Sequence, residues 1–190
     1  MPAKKHITKE MILSEAFKML REGGMSAVNV KALAGRLNCS TQPIYLSFNN
    51  MDDLRAELGV KAVRTFQEKM RGKNGAVRLY GMDYIRFAQE EKALFCFLFM
   101  RRNAFSEMKE VLTPLMNESI SGVMDRYEIS WEEAHYLHDH LWMHSHGIAS
   151  MIATGFCDWD DEKVQRMITE CDRYLGGKSP VEKCEAEHVQ

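Results

Sequence analysis

The chain has 190 residues, of which 45% are hydrophobic and 27% charged, and its formal net charge is −2. This length is sufficient to bury a substantial core in one or two domains. The near-neutral charge argues against a general nucleic-acid coat protein, and the lack of any apolar run of about 18 residues excludes a transmembrane helix.

Cysteine usage and the first residues indicate a reducing compartment. The five cysteines form no Cys-x-x-Cys pair and are odd in number, which is typical of reduced thiols rather than a disulfide framework. Lysines occur near the N-terminus, but no apolar segment follows them, so no signal peptide is predicted. We therefore expect a cytoplasmic protein.

Helix-start and helix-stop residues divide the first 50 residues. The first predicted helix begins after Thr8, a good N-cap, and ends at Gly23-Gly24. A second begins after Asn29 and ends at Asn38, a residue type that tolerates the left-handed conformation. Because prolines are few and apolar residues repeat with helical period along the rest of the chain, we predict an all-α fold.

A third, short helix follows at once. Ser40 is its predicted N-cap, Ile44 and Phe48 should face inward, and the side chains left facing out are polar. Such side chains can bond to base edges and phosphates in a DNA major groove. The predicted DNA-binding residues are Lys31, Ser40, Thr41, Gln42, Pro43, Tyr45 and Ser47. An ordinary helical hairpin in an all-α core would show the same pattern.

The charge distribution agrees with DNA binding at one end. Residues 1–50 hold seven Lys/Arg against three Glu, whereas residues 51–190 hold eighteen Lys/Arg against twenty-four Asp/Glu. A basic head on an acidic body suits phosphate contacts at the head. Lys4, Lys5 and Lys9 would form a basic arm before the first helix; the alternative for Lys4 and Lys5 is a solvated terminus.

Together these residues resemble the TetR family of transcriptional repressors. The resemblance rests on Ile12-Leu13, Ala16-Phe17, Gly23-Gly24, Val30 to Leu37, Ser40, Ile44, Tyr45, Phe48 and Asp52-Asp53-Leu54. Ser47 stands where the family usually has His or Tyr, which would remove one phosphate contact. The resemblance implies a helix-turn-helix domain at residues 1–50 and a helical regulatory and dimerisation domain at 51–177. The polar, charged composition of residues 178–190 predicts a mobile tail.

The rest of the chain is predicted to be helical. The spans are 76–88, 93–100, a helix opening at Thr113-Pro114, a helix from the Ser130–Glu133 capping box to Thr154, and a last helix from Asp158–Asp161 to Gly176-Gly177. The last helix should bury Val164, Met167, Ile168, Cys171 and Leu175.

A second, weaker resemblance concerns residues 141–155. Trp142, His146 and Gly147 look like the tryptophan–histidine–glycine signature of one C-terminal class of TetR-type regulators. In that family the last two helices pair with their twins in a dimer, and the middle helices enclose an inducer pocket. The resemblance therefore implies a homodimer whose seam includes Leu141, Ile148, Ile152 and Met167.

A pocket for a small-molecule effector is expected among the middle helices. Its predicted walls combine aromatic bulk with few charges, as small-molecule sites do. They are Phe87, Phe95, Phe99, Met116, Trp142 and His146. A solid core would use the same side chains merely to fill space.

Five histidines crowd into one predicted helix, at positions 135, 138, 140, 144 and 146. His140 and His144 have metal-ligand spacing, but the five side chains point in different directions and cannot all bind one ion. We therefore predict no metal site and no cofactor, and hydrogen-bonding or solvated roles for these residues.

The sequence thus predicts a dimeric, ligand-responsive repressor that binds a palindromic operator in double-stranded DNA, away from membranes. It is not expected to be an enzyme, because it holds no Gly-rich phosphate loop, no Gly-x-Ser-x-Gly elbow and no credible triad. A helical protein-interaction adaptor without inducer is the alternative, followed by an enzyme or a metal-binding helical protein.

Overall fold

The computed structural model describes residues 6–71 and 75–176, and within these ranges it contains nine α-helices and no strand. The prediction of an all-α fold is therefore confirmed. The helices are α1 Lys9–Gly23, α2 Val30–Leu37, α3 Gln42–Ser47, α4 Met51–Met70, α5 Gly81–Glu90, α6 Lys92–Phe99, α7 Ala104–Tyr127, α8 Trp131–Ala153 and α9 Asp161–Gly176. Lys4, Lys5, Gly177 and the predicted tail at 178–190 lie outside the described residues.

Local capping chemistry sets the ends of the first helices as predicted. The side chain of Thr8 accepts a hydrogen bond from the backbone N–H of Met11, and that of Asn29 accepts one from Ala32. Asn38 ends α2 in the left-handed conformation, at φ 51°. Ser40 is not a cap, however, because the first turn of α3 closes on the carbonyl of Thr41 instead.

Two predicted starts in the body are wrong. Helix α5 begins at Gly81 and not at 76, because side chains of other helices bond the backbone before it: Ser119 accepts from the N–H of Leu79, and Ser145 accepts from that of Gly81. Pro114 opens no helix but lies inside α7. Burial of apolar side chains on both sides of it, such as Leu112 and Leu115, offsets the local cost of proline.

The last two helices start largely as predicted. Both bonds of the Ser130–Glu133 capping box are present at the start of α8. Helix α9 starts at Asp161, later than Asp158, because the carboxylate of Asp160 accepts from the N–H of Lys163. Of the residues predicted to be buried in α9, only Val164 is fully covered in one protomer. The other four, Met167, Ile168, Cys171 and Leu175, are half-buried.

Head and body share one hydrophobic core. A continuous cluster of buried residues runs from Ile12 in α1 through Leu58 in α4 to Leu94 in α6 and Ile148 in α8. No helix in the described part of the chain is both long and apolar enough to cross a membrane. Since α4 leads directly out of α3, movements of the body can reach the head through packed side chains.

A buried ion pair fastens the head to the body. Arg21 of α1 donates two parallel hydrogen bonds to the carboxylate of Glu91, one of them 2.7 Å long. The Glu91 side chain is 4% exposed and the Arg21 side chain 47%. Glu91 also joins two helices, because its N–H donates to the carbonyl of Phe87 at the end of α5 and its carbonyl accepts from Phe95 in α6.

A second buried polar group lies at the centre of the body. The side chain of His138 in α8 is 1% exposed, and its Nε2 shares a hydrogen bond of 3.1 Å with the Ser119 hydroxyl of α7. Burial lowers the pKa of His138 from 6.5 to about 4, although the nearby Asp139 carboxylate opposes this shift. His138 is therefore neutral in the folded protein near pH 7.

Removing Arg21 should leave a buried carboxylate without its partner. We expect Arg21→Ala to lower the free energy of unfolding by about 2–3 kcal/mol, at the lower end for buried pairs because Arg21 is half-exposed. Urea unfolding measures this change. The matched control is Lys69→Ala, which breaks the neighbouring exposed pair with Glu90 and should cost only about 0–1 kcal/mol. Equal effects of the two variants would contradict the role given to Glu91.

The low pKa of His138 makes stability depend on pH. The unfolded chain binds a proton at this residue below about pH 6.5, whereas the folded chain does so only below about pH 4, so stability falls as pH falls through this window. The loss from this residue between about pH 7.5 and pH 5 should be about 2 kcal/mol. Urea unfolding at both pH values should show a smaller loss in His138→Gln, and an unchanged loss in the control His6→Gln, which alters an exposed histidine outside α8. An unchanged loss in both variants would show that another group is responsible.

Candidate DNA-binding face and central cavity

The outer face of α3 presents the side chains predicted to read DNA. Thr41, Gln42 and Tyr45 are exposed, with Tyr45 at 63%. On the opposite face Ile44 and Phe48 are buried, and they anchor this short helix on the head. The polar face is therefore held in a fixed orientation by apolar packing rather than by the helix's own length.

Leu46 is absent from the predicted DNA-binding residues, yet it is 81% exposed and is the most exposed large apolar side chain of the described part of the chain. Each residue of a helix turns by about 100°, so Leu46 lies about 200° from both Ile44 and Phe48. This arithmetic places it outside, beside Gln42, which precedes it by one helical turn. An apolar side chain at that place can contact the methyl group of thymine.

The other predicted DNA-binding residues differ in how exposed they are. Ser40 and Lys31 are exposed, whereas Pro43 and Ser47 are half-buried. The hydroxyl of Ser47 donates to the carbonyl of Pro43 at 2.9 Å, so its proton is already used within α3. A phosphate could reach Ser47 only by replacing this bond.

Most cations of the head are paired within the protein. Lys9 forms an ion pair with Glu57 of α4, and this hydrogen bond raises the pKa of the Lys9 ammonium. Arg36 pairs with Glu22. Lys31 has no ion pair with any residue in the ranges that the structure describes. The predicted basic head therefore offers DNA fewer free charges than its composition suggests.

A small cavity of about 90 Å³ lies among α4 to α8. Four of the six residues predicted to form a pocket line it: Phe99, Met116, Trp142 and His146. Phe95 packs behind His146, with ring centroids 5.7 Å apart, and Phe87 packs behind Phe95. The structure therefore places these two side chains in the core next to the cavity.

The polar groups of this cavity are neutral at neutral pH. The Tyr84 hydroxyl and His146 Nδ1 share a hydrogen bond of 2.8 Å, and the Trp142 ring stacks on the His146 ring at 5.2 Å. Burial raises the pKa of Tyr84 and lowers that of His146, so neither group carries a charge. The cavity therefore suits an uncharged aromatic group.

Three of the four residues predicted to form a dimer seam lie on the inner side of α8. Leu141, Ile148 and Ile152 are buried inside the protomer, so a partner chain could reach them only if the protomer opened. Met167 of α9 is half-buried. The outer face of α8 is also partly apolar, and its exposed large residues are Trp131, Tyr136, Met143 and Met151.

The histidines of α8 have separate surroundings. His140 Nδ1 donates to the carbonyl of Tyr136 at 2.8 Å, and the rings of these two residues lie against each other. His138 and His146 take part in the buried contacts described above. Among the described residues no three His, Cys, Asp or Glu side chains are grouped to hold a metal ion.

Comparison with known proteins identifies the head. No curated protein matches the chain, but the family model of bacterial regulatory proteins, tetR family, matches residues 12–58. This match covers α2 and α3 completely and extends from α1 into α4. Members of the family are transcription regulators rather than enzymes. Residues 12–58 therefore form a DNA-binding domain of the tetR family of bacterial regulatory proteins, with α2 and α3 as its helix-turn-helix.

Proposed function

We propose that this protein is a homodimeric, ligand-responsive repressor that acts on a palindromic operator in the cytoplasm. In this proposal residues 1–50 bind DNA, and residues 51–177 regulate and dimerise. The observation that carries the proposal is the outer face of α3, where Gln42, Tyr45 and Leu46 are exposed above buried Ile44 and Phe48.

Docking of α3 in the major groove would use its side chains in two ways. Gln42 has donors and an acceptor that match an adenine edge, and Leu46 offers an apolar contact to thymine. Tyr45 would bond a phosphate through its hydroxyl, which fixes orientation without reading sequence. Two such helices must lie about 34–36 Å apart to read successive turns of a palindrome.

The outer face of α8 supports a seam between two protomers. Met143 and Met151 are exposed and one helical turn on either side of Gly147. A Cβ atom at Gly147 would meet no atom within 4 Å, so this glycine leaves room for a second helix to approach. The half-buried residues of α9 would complete the apolar surface.

The central cavity supports control by a small molecule. At about 90 Å³ it is smaller than the roughly 300 Å³ of ordinary ligand sites, so binding would have to displace its walls. One wall is Phe66 of α4, whose ring centroid lies 5.1 Å from that of Phe99. Displacing Phe66 would shift α4 and hence α3. A coupling of about 1–3 kcal/mol between ligand and DNA would make a useful switch.

Two variants of α3 should have different effects on DNA binding. Gln42→Ala should lose preference at one base position, by about 1–3 kcal/mol if the contact to the base is bidentate. Tyr45→Phe keeps the ring but loses the hydroxyl, so it should weaken binding similarly for all sequences. Fluorescence anisotropy on the chain's own upstream DNA and on a panel of single-base variants separates the two patterns.

Lys92→Gln is the control for this measurement, since it removes an exposed charge from the body and should leave DNA affinity unchanged. Unchanged affinity in both α3 variants would mean that α3 is not the DNA-reading helix. Weak dependence of binding on salt would contradict phosphate contacts altogether.

A charged side chain at Gly147 should prevent dimerisation. We expect Gly147→Arg to be a folded monomer, because the arginine has room in the protomer but would be buried without a partner in the seam. Sedimentation velocity measures the assembly state. The control is Gly122→Arg in α7, at an exposed glycine where a Cβ atom would also meet no atom within 4 Å. A Gly147→Arg protein that sediments as a dimer would place the seam elsewhere.

A further inference from the structure

A second, larger space lies between the head-linking helix and the body. It is a groove of about 480 Å³ between α4, α6 and α7, within the range of roughly 300–1,000 Å³ that small-molecule sites occupy. The groove is distinct from the central cavity, because among the residues that the structure describes Met108 alone lines both. It is also the larger of the two by about fivefold, so it could hold a ligand without displacement of its walls.

More than half of the residues that line the groove are apolar. Val63 of α4 and Leu98 of α6 are buried at its floor, while Val60 of α4 and Val111 of α7 are 55% and 40% exposed along it. Gly59 of α4 also lines the groove, and a Cβ atom at this position would meet nothing within 4 Å. Contact with an apolar molecule would remove the surface of these valines from water, which lowers the free energy of the complex.

The charged residues of the groove leave one arginine without a partner. Arg101 pairs with Glu107, and Arg55 lies 3.9 Å from Asp52. Both acidic side chains of the groove thus face an arginine. Arg64 of α4 also lines the groove, but it forms no hydrogen bond or ion pair with any residue at 6–71 or 75–176.

We propose that this groove binds an amphipathic monoanion, a molecule with an apolar body and a single carboxylate or sulfonate. The apolar body lies along Gly59, Val60 and Val111, and the anionic group accepts hydrogen bonds from the Arg64 guanidinium. Arginine suits this task because its planar fork matches a carboxylate with two parallel bonds. A cationic amphiphile would meet only carboxylates that already face an arginine, and a neutral one would form no ion pair with Arg64.

The site differs in place and in ligand class from the central cavity, whose polar groups are neutral. A molecule in the groove touches α4 on one side and α7 on the other, so it bridges the helix that carries the head and a helix of the body. The proposal concerns binding by the protein without DNA, and it stands whether or not the cavity takes an effector or α3 reads an operator.

The experiment uses the full-length chain and two probes of stated chemistry. Fluorescence titration with 8-anilinonaphthalene-1-sulfonate should show one saturable site per chain, and decanoate should displace the dye while decanol, its neutral analogue, should do so at least about tenfold more weakly. Arg64→Gln should weaken binding of both anions by about tenfold, the loss expected for one charge-assisted pair of about 1.4 kcal/mol. Gly59→Leu should fill the groove and abolish saturable binding.

Matched controls distinguish filling of the groove from changes in helix propensity or in surface charge. Gly59→Ala also raises helix propensity but adds only a methyl group, so it should retain most of the binding. Arg102→Gln removes an exposed arginine that lies outside the groove lining and should bind as the unaltered chain does. Circular dichroism melts of each variant verify the fold, and the exposed Arg64→Gln variant tests the site even if Gly59→Leu is unstable.

Three results would overturn the proposal. Equal displacement by decanol and decanoate would remove the anionic specificity. Equal affinity of Arg64→Gln and the unaltered chain would remove the role of that guanidinium. Saturable dye binding that persists in folded Gly59→Leu would place the dye in another site.

Discussion

The carboxylate of Glu91, buried at the turn between α5 and α6, constrains the whole arrangement. A charge removed from water must be matched by hydrogen bonds from a partner charge, and here the match comes from Arg21 on a different part of the chain. The backbone of the same residue closes α5 and opens α6. One residue therefore fixes the positions of three helices, and the shared core of head and body packs around them. Such a pair specifies an arrangement more than it adds net stability, because the desolvation of Glu91 offsets much of the attraction.

Between this ion pair and the outer helices the body is built from aromatic rings. Phe66, Tyr84, Phe95 and Phe99 make edge-to-face or tilted contacts at centroid distances of 5.0–6.1 Å. Contacts of this kind prefer particular ring geometries, so displacement of one ring disturbs its contacts with rings of other helices. The polar atoms among them, on Tyr84 and His146, satisfy each other. The result is a body in which a change at one ring is passed to α4 by packing rather than by charge.

Features encoded within a few residues of chain were predictable. The caps at Thr8, Asn29 and Ser130 and the left-handed Asn38 follow from local hydrogen-bonding chemistry, and the structure shows each of them. The burial of Ile44 and Phe48 was predictable as well, because helical periodicity places both side chains on the inner face of α3. The exposure of Leu46 could have been obtained from the same periodicity.

Features decided by distant contacts were not predictable. The start of α5 depends on hydroxyls of Ser119 and Ser145, which lie 40 and 64 residues away from the amides they bond. Arg21 and Glu91 are 70 residues apart. In α8 both faces carry apolar residues, so periodicity alone could not tell which face Ile148 would turn to the protomer core. The groove beside α4 arises from three helices, and no segment of sequence contains it.

The position of Met108 between the groove and the central cavity has a consequence for what the interior can hold. An unbranched thioether side chain rotates about three bonds at low cost, whereas a β-branched or aromatic one would form a fixed wall. Rotation of this one side chain would lengthen one space at the expense of the other without any change in the helices. The shapes of the two spaces are therefore coupled through the torsion angles of one side chain, and a change in either space need not involve any helix movement.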